Sequence, residues 1–184
     1  VSGPQLLYPR RYPRPAVAYK SHPRIVAARR LDGRGHSTCS VLHVVAMSEW
    51  TPEVARSYAE SYGEYPTNRL AVAELKLDAH ATVVDIGCGT GCALRHAAAQ
   101  VTTGQLIGID PIEEMLGYAQ TRLEGHPAAG RIRFCKGPAH ALPLADAIAD
   151  VVFAFDSFDH WGEGNHLAGL GEVRRVLRPG GQFV

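Results

Sequence analysis

From Thr51 onward, short apolar runs alternate with stretches in which apolar residues recur every three or four positions. Runs of the first kind predict buried strands, and stretches of the second kind predict amphipathic helices. Thr51-Pro52-Glu53 offers a capping hydroxyl, a proline for the first helical position and an acid for the first turn. The helix that starts there is expected to reach Tyr62, with Gly63 ending it. A second is expected from Pro66, with Leu70, Ala73 and Leu77 as its apolar stripe. Residues 82–86 (Thr-Val-Val-Asp-Ile) form the first strand pattern, and residues 92–100 a helix that packs Ala93, Leu94, Ala97 and Ala98. Residues 105–109 predict a second strand ending at Asp110. Pro111 then opens a helix through Leu123 that carries Met115, Leu116 and Ala119. A third strand is expected at 132–135 and a fourth at 150–155, apolar enough for the centre of a sheet. The helix over 167–177 has a basic last turn (Arg174, Arg175, Arg178), which suits its dipole. Pro179-Gly180-Gly181 is expected to stop it, and Gln182 to begin a fifth strand.

Strands alternating with helices predict an α/β fold, a doubly wound and mostly parallel sheet with helices on both faces. Right-handed crossovers put the first strand at the centre and a ligand crevice outside the strand C-termini.

Residues 1–46 break this pattern. Five prolines interrupt any helix there, and eight Lys and Arg stand against one acid, Asp32. The rest of the chain holds eleven basic and seventeen acidic residues, so a net charge of +1 hides a basic arm on an acidic body. Two segments follow, 1–46 and 47–184. The first reads as a disordered arm, a transit peptide or a stretch extraneous to the working protein, in which only residues 40–46 have a strand pattern. Met47, followed by Ser-Glu-Trp-Thr-Pro-Glu, reads as a natural start. The only aromatics in the arm are Tyr8, Tyr12 and Tyr19, which argues against a nucleic-acid arm. Four cysteines (Cys39, Cys88, Cys92, Cys135) show no CxxC spacing; they predict no metal site and a reducing, cytoplasmic setting. No apolar run has the length of a membrane span.

The candidate chemistry sits just past the first strand. Asp85-Ile86-Gly87-Cys88-Gly89-Thr90-Gly91 runs a strand into a turn with glycines at alternate positions. Glycine permits positive φ and close backbone approach to a ligand. Asp110 ends the second strand, where a carboxylate suits the two hydroxyls of a ribose. A dinucleotide fingerprint would want its third glycine at position 92, which is Cys92.

These motifs, with Gly108-Ile109-Asp110, Gly137-Pro138-Ala139, Leu142-Pro143 and Glu172-Val173 through Pro179-Gly180-Gly181, resemble the class I S-adenosylmethionine-dependent methyltransferases, nearest their small-molecule group. The resemblance runs from Thr51 to the end of the chain. It implies a Rossmann-like sheet that continues past a fifth strand, so that the C-terminal strands are expected to be missing here. It implies S-adenosylmethionine as cofactor, and methyl transfer to a small-molecule acceptor by in-line displacement without a metal. Backbone groups of Gly87, Cys88, Gly89 and Gly91 are expected at the amino-acid end of the cofactor, with Asp85 orienting its ammonium. Asp110, followed by Pro111, is expected to accept from the ribose, with a helix cap as its other role. Members often carry Asp or Asn where Pro138 stands, which leaves the Ala139 N–H for the adenine. Asp156 and Ser157 are expected to border the methionine end and the methyl. His160, beside Trp161, is the candidate base, or else a loop anchor; Tyr58 and Tyr62 wall the pocket or pack their helix. Phe155 and Phe158 are expected to pack. A non-catalytic cofactor-binding remnant is the alternative reading. A nucleic-acid enzyme is disfavoured, because Asp156-Ser157-Phe158-Asp159 replaces the Asn/Asp-Pro-Pro-Tyr/Phe pattern of such enzymes.

Overall fold

The computed structural model describes residues 29–31, 37–39, 50–162 and 164–184. The chain divides between Ser48 and Glu49 into two units. In the first, β1 (Arg29–Leu31) pairs antiparallel with β2 (Ser37–Cys39), Arg30 opposite Thr38. The strand expected at residues 40–46, and Met47, lie outside the described residues.

The second unit opens with α1 (Pro52–Tyr62). The Thr51 hydroxyl accepts the Val54 N–H at 3.3 Å, a cap worth about 1 kcal/mol. α2 (Pro66–Glu74) differs from its expected stripe. Leu70 is 54% exposed and Ala73 is exposed, whereas Val72 is buried and Leu75 packs beside it. The helix stops at Glu74, so Leu77 lies beyond it and the spacing that joined Leu70 to Leu77 has no helix to act on.

Five strands follow: β3 (Thr82–Ile86), β4 (Gln105–Asp110), β5 (Ile132–Lys136), β6 (Ala149–Phe153) and β7 (Leu177–Phe183). They form one parallel sheet in the order β5-β4-β3-β6-β7, with the first of them at the centre. α3 (Cys92–Ala97) links β3 to β4, α4 (Glu113–Leu123) links β4 to β5, and α5 (His166–Val176) precedes β7. Side chains alternate across the sheet as the pleat requires. Val83, Leu106, Val151 and Phe153 face α2, α3 and α4, through Val72, Leu94 and Leu116. Val84, Ile107, Ile109 and Val152 face the other way, onto Val173 and Val176 of α5. Helices therefore cover both faces.

Between β5 and β6 the second face is covered by loop rather than helix. Leu142 and Ile148 supply its apolar contacts, and Arg175 fastens it. That guanidinium donates to the carbonyls of Leu142 and Leu144 and to the carboxylates of Asp146 and Glu172. Glu172 in turn accepts the Leu142 N–H at 2.7 Å.

Several boundaries shift from expectation. β6 ends at Phe153 rather than Phe155, because Gln182 and Phe183 of β7 pair only as far as Val152 and β3 only as far as Phe153. α3 ends at Ala97, and residues 98–101 close by turn bonds such as Val101 N–H to Ala97 O at 2.9 Å. α4 begins at Glu113 rather than Pro111. α5 ends at Val176 and β7 begins at once, so Pro179-Gly180-Gly181 lies within the strand. Leu177 pairs with Ala149 and Gln182 with Val151, which leaves residues 178–181 as a bulge opposite Asp150. Gly180, at φ +83°, makes that excursion possible. Among the described residues no helix is long and apolar enough to cross a membrane.

Candidate active site

The carboxyl ends of β3, β4 and β6 lie side by side at one edge of the sheet, and most of the residues singled out in the sequence follow them there. Gly87, Gly89 and Gly91 have φ of +73°, +51° and +73°, so the turn after β3 uses the left-handed region three times. Two of the three are also needed for space. A Cβ on Gly87 would run into Ser157, and one on Gly91 would meet the Phe134 ring. A Cβ on Gly89 would meet nothing within 4 Å. This position opens on free space, which leaves room for a ligand to approach the backbone.

The amides of this turn point inward. Gly87 and Cys88 both donate to the Ile109 carbonyl, at 2.7 and 3.1 Å, and Gly89 donates to Asp110 Oδ2 at 2.9 Å. The first two strands are thereby laced together at their ends. Gly91 donates to Cys88 O at 2.8 Å, so all four expected backbone groups have protein partners for their N–H, and carbonyl oxygens are the polar groups left to serve a ligand. A carbonyl suits an ammonium.

Asp110 is buried and accepts twice, from Gly89 N–H on Oδ2 and from Ile112 N–H on Oδ1, both at 2.9 Å. It is not the cap of α4; Ile112 holds that position without a side-chain bond. Burial pushes the Asp110 pKa up, and its two amide partners pull it back. Each carboxylate oxygen retains a second lone-pair site. Pro111 beside it is exposed.

Asp85 is 3% exposed at the end of β3. Burial, and secondarily the charge of Asp110, push its pKa up to about 7, and no hydrogen bond opposes them. A carboxylate in that state is stabilised by any cation that reaches it. Cys88 stands between the two acids in effect: burial, then Asp85, then Asp110, hold its thiol well above the ordinary range. Its sulfur packs near Gly108, so its side chain is inert filler.

The remaining positions are placed as follows. Gly137 donates to the Asp110 carbonyl at 3.2 Å, which brings Pro138, half-buried, and Ala139, buried, to the same edge. Asp156 follows β6 with φ +51°, exposed, and accepts from the Thr67 hydroxyl at 3.2 Å. Ser157 is buried, and its hydroxyl donates to Ile86 O at 2.5 Å, so it latches the β6 loop to the end of β3. His160 closes a 3₁₀ turn (Phe158–His160), and its Nε2 lies 3.7 Å from Asp159 Oδ1. Phe155 stacks on Phe153 as expected, while Phe158 is 40% exposed against Trp161 and His166. Tyr58 and Tyr62 lie in an aromatic row with Trp50 and Tyr65 along α1.

Sequence reasoning missed three residues that build this edge. Thr90, inside the glycine turn, donates to Gly63 O at 2.5 Å and ties the turn to the end of α1. Phe134 fills the space that Gly91 and Gly108 leave. Thr67 reaches Asp156 from α2. Gly108, a glycine inside a strand pattern, was the one available signal of a close approach.

Known proteins resemble this chain in sequence and in fold. The sequence profile of a family described as a methyltransferase domain matches residues 83–181, and the chain belongs to that family. It is 37% identical over 119 residues to a 27-O-demethylrifamycin SV methyltransferase of Amycolatopsis mediterranei, covering 64% of this chain and 42% of that one. It is 32% identical over 117 residues to the ubiquinone/menaquinone biosynthesis C-methyltransferase UbiE of Geotalea daltonii, covering 63% and 49%. The matched stretch thus spans less than half the length of these relatives. A solved S-adenosylmethionine-dependent methyltransferase from Aquifex aeolicus superposes with a TM-score of 0.56 at 24% identity, over 71% of this chain and 69% of that one; at that identity the likeness is one of fold.

S-adenosylmethionine is the cofactor this family implies, and the residues fit it. The open position at Gly89 gives backbone approach, Asp85 is a buried carboxylate without a hydrogen bond among the described residues, and Asp110 has acceptor sites to spare.

Proposed function

We propose that this chain transfers a methyl group from S-adenosylmethionine to a small-molecule acceptor. The observation that carries the reading is the pairing of an open glycine position, Gly89, with the buried carboxylate of Asp85, whose pKa is near 7. Such a pair suits a ligand with a cationic amino acid end. The O- and C-methyltransferase names of the relatives support a small-molecule acceptor. When bound, the cofactor supplies a methyl already activated by sulfonium charge.

In this reading Asp85 neutralises the cofactor ammonium, together with carbonyls of the Gly87–Gly91 turn. Asp110 accepts from the ribose hydroxyls, and the Ala139 N–H meets the adenine where Pro138 offers no donor. Asp156 and Ser157 shape the methionine end, Ser157 by holding the β6 loop in place. The chain's task at the reacting centre is then chiefly orientation and exclusion of water. His160 removes the acceptor's proton where the acceptor has one to lose. Tyr58 and Tyr62 form part of the acceptor wall. The free cysteines Cys88, Cys92 and Cys135 suit a reducing cytoplasm.

Calorimetric titration with S-adenosylhomocysteine tests the cofactor half. Micromolar binding is expected for the full chain, and Asp110→Ala is expected to weaken it more than tenfold, or about 1.4 kcal/mol. Unchanged affinity in the folded variant would remove the ribose assignment. Transfer of labelled methyl to an acceptor panel tests the chemical half; tight binding with no turnover on any acceptor would favour the non-catalytic remnant.

A further inference from the structure

Next to the glycine turn, four ligand-type side chains come from two pairs four residues apart. Glu64 and Asn68 lie at the α1–α2 connection and in α2; Cys92 and His96 lie in α3. Residues four apart on a helix share a face, so Cys92 and His96 project together. Donor atoms of Glu64, Cys92 and His96 all lie within 4.8 Å of one another. The Cys92 sulfur is 3.5 Å from Glu64 Oε2. Asn68 adds an independent sign. Its side chain acts on the Cys92 thiol in favour of the thiolate, yet its Oδ1 is buried with no hydrogen-bond partner among the described residues. A buried acceptor left unpaired on a side chain next to the Cys92 thiol points to a missing cation.

We infer that Glu64, Asn68, Cys92 and His96 form a binding site for a borderline-soft divalent metal ion of the zinc type. The donor set is one sulfur, one imidazole nitrogen and oxygens, which suits zinc or cobalt and excludes the all-oxygen preference of calcium and magnesium. Tetrahedral ligands at roughly 2.0–2.3 Å from zinc stand roughly 3.4–3.8 Å apart, so the cluster closes by about 1 Å on binding. The Glu64 side chain is 57% exposed and His96 is half-buried, which leaves both free to make that adjustment. The two Glu64 oxygens are already divided. Oε1 is held by Arg95 and by Arg122, the latter at 3.1 Å, while Oε2 faces the sulfur. The arginines therefore orient the carboxylate without taking the oxygen that the ion needs. Binding forms a metal–sulfur bond and releases the thiol proton to water. Without the ion Cys92 is a poor nucleophile, since burial, and then the Glu64 charge, push its pKa up to about 11.

The consequence is mechanical. Cys92 directly follows the glycine turn, and Glu64 directly follows Gly63, whose carbonyl accepts from Thr90 of that turn. An ion here would clamp the α1–α2 connection to the turn.

The test is a titration of the full chain with Co²⁺ followed by displacement with Zn²⁺. The expected result is one equivalent bound, with a thiolate-to-cobalt charge-transfer band in the near ultraviolet that zinc abolishes. Cys92→Ser is expected to remove the band, and His96→Gln to weaken binding at least tenfold. Cys39→Ser and Cys135→Ser are expected to retain the band. Absence of the band in chain with a folded circular-dichroism spectrum would overturn the site. So would a band that survives Cys92→Ser, or one lost with Cys39→Ser. His96→Gln reads the site through a half-exposed residue should Cys92→Ser fail to fold.

Discussion

The turn after β3 and the loop after β6 end side by side at the sheet's carboxyl edge, and they are built on opposite principles. The first, residues 87–91, is braced at nearly every position: Gly87, Cys88 and Gly89 give their amides to β4, Gly91 gives its own to Cys88, and Thr90 reaches Gly63. The second, residues 156–165, closes on itself by short turn bonds (His160 N–H to Ser157 O at 2.9 Å, Asn165 N–H to Gly162 O at 3.1 Å), and bonds to the sheet from Ser157 to Ile86; Trp161 packs on Gly169 and Phe158 is 40% exposed. A ligand that every member of a family shares can be met by a rigid, prebuilt surface. A ligand that varies is better met by a segment with few ties to the sheet. The contrast fits a division of labour in which the β3 turn holds the cofactor and the β6 loop adapts to an acceptor.

Glycine substitutions break that comparison most sharply. Gly87→Ala forces a Cβ into Ser157 at a φ of +73°, and is expected to destabilise by about 3 kcal/mol or more. Gly164→Ala sits at a similar φ, +82°, with no atom within 4 Å, and is expected to cost only about 1 kcal/mol. Gly89→Ala should resemble Gly164→Ala in stability yet lower S-adenosylhomocysteine affinity more than tenfold, because its Cβ enters the ligand's space. Denaturant midpoints and calorimetry read both quantities. Equal stability losses at Gly87 and Gly164 would erase the distinction between the two segments.

Asp85 sharpens it at the cofactor end. Its folded pKa of about 7 lies above the ordinary 3.8, so folding takes up a proton between those values. The stability this site contributes is therefore full below about pH 4, falls as pH rises to about 7, and is flat above. Asp85→Asn removes that loss. Relative to wild type, the variant is expected to be more stable at about pH 8 than at about pH 4 by roughly 4 kcal/mol; the cost of burying the amide is the same at both pH values and cancels in that difference. Ligand binding should move the other way. A cationic amine favours the ionised carboxylate, so wild-type affinity for S-adenosylhomocysteine should rise through about pH 7 while the variant's stays flat and weaker. An affinity without pH dependence in the wild type would remove the ammonium from Asp85.

Why some of this was legible in the sequence follows from how far each signal reaches. The glycine turn was readable because positive φ is a local demand and glycine meets it locally. The strands were readable because Val83, Val84 and Ile86 form a run that the centre of a parallel sheet requires. The central place of the first of them came from handedness rather than from any residue. What failed was non-local. Leu70 and Val72 are equally apolar, and only the packing of α2 on the sheet decides that Val72 turns inward. Pro179-Gly180-Gly181 looks like a helix stop, but α5 has already ended, and the three residues are absorbed as a bulge against β6. Ser157 and Ile86 are seventy-one residues apart, and Thr67 and Asp156 eighty-nine, so no spacing rule connects them. The inward turn of the Gly87–Gly89 amides was hidden for the same reason, since their acceptors belong to the neighbouring strand.

Asp156 gives the comparison its finest test. It is one of two non-glycine residues with positive φ among the described residues, at +51°, on the loop that the reading assigns to the acceptor. Aspartate tolerates that region better than most side chains but still bears strain there. Asp156→Gly would relieve about 1 kcal/mol of it. The same change frees the unfolded chain by about 0.5–1 kcal/mol and removes the exposed bond from Thr67. These effects nearly cancel, and the expected change in stability is within about 0.5 kcal/mol of zero. Retention of a strained carboxylate with so little structural return argues that its worth is chemical. Turnover and S-adenosylhomocysteine affinity should then both fall in Asp156→Gly while the unfolding midpoint holds. A midpoint that drops by more than about 1 kcal/mol would show instead that the Thr67 bond is a structural tie, and that the β6 loop is braced much as the β3 turn is.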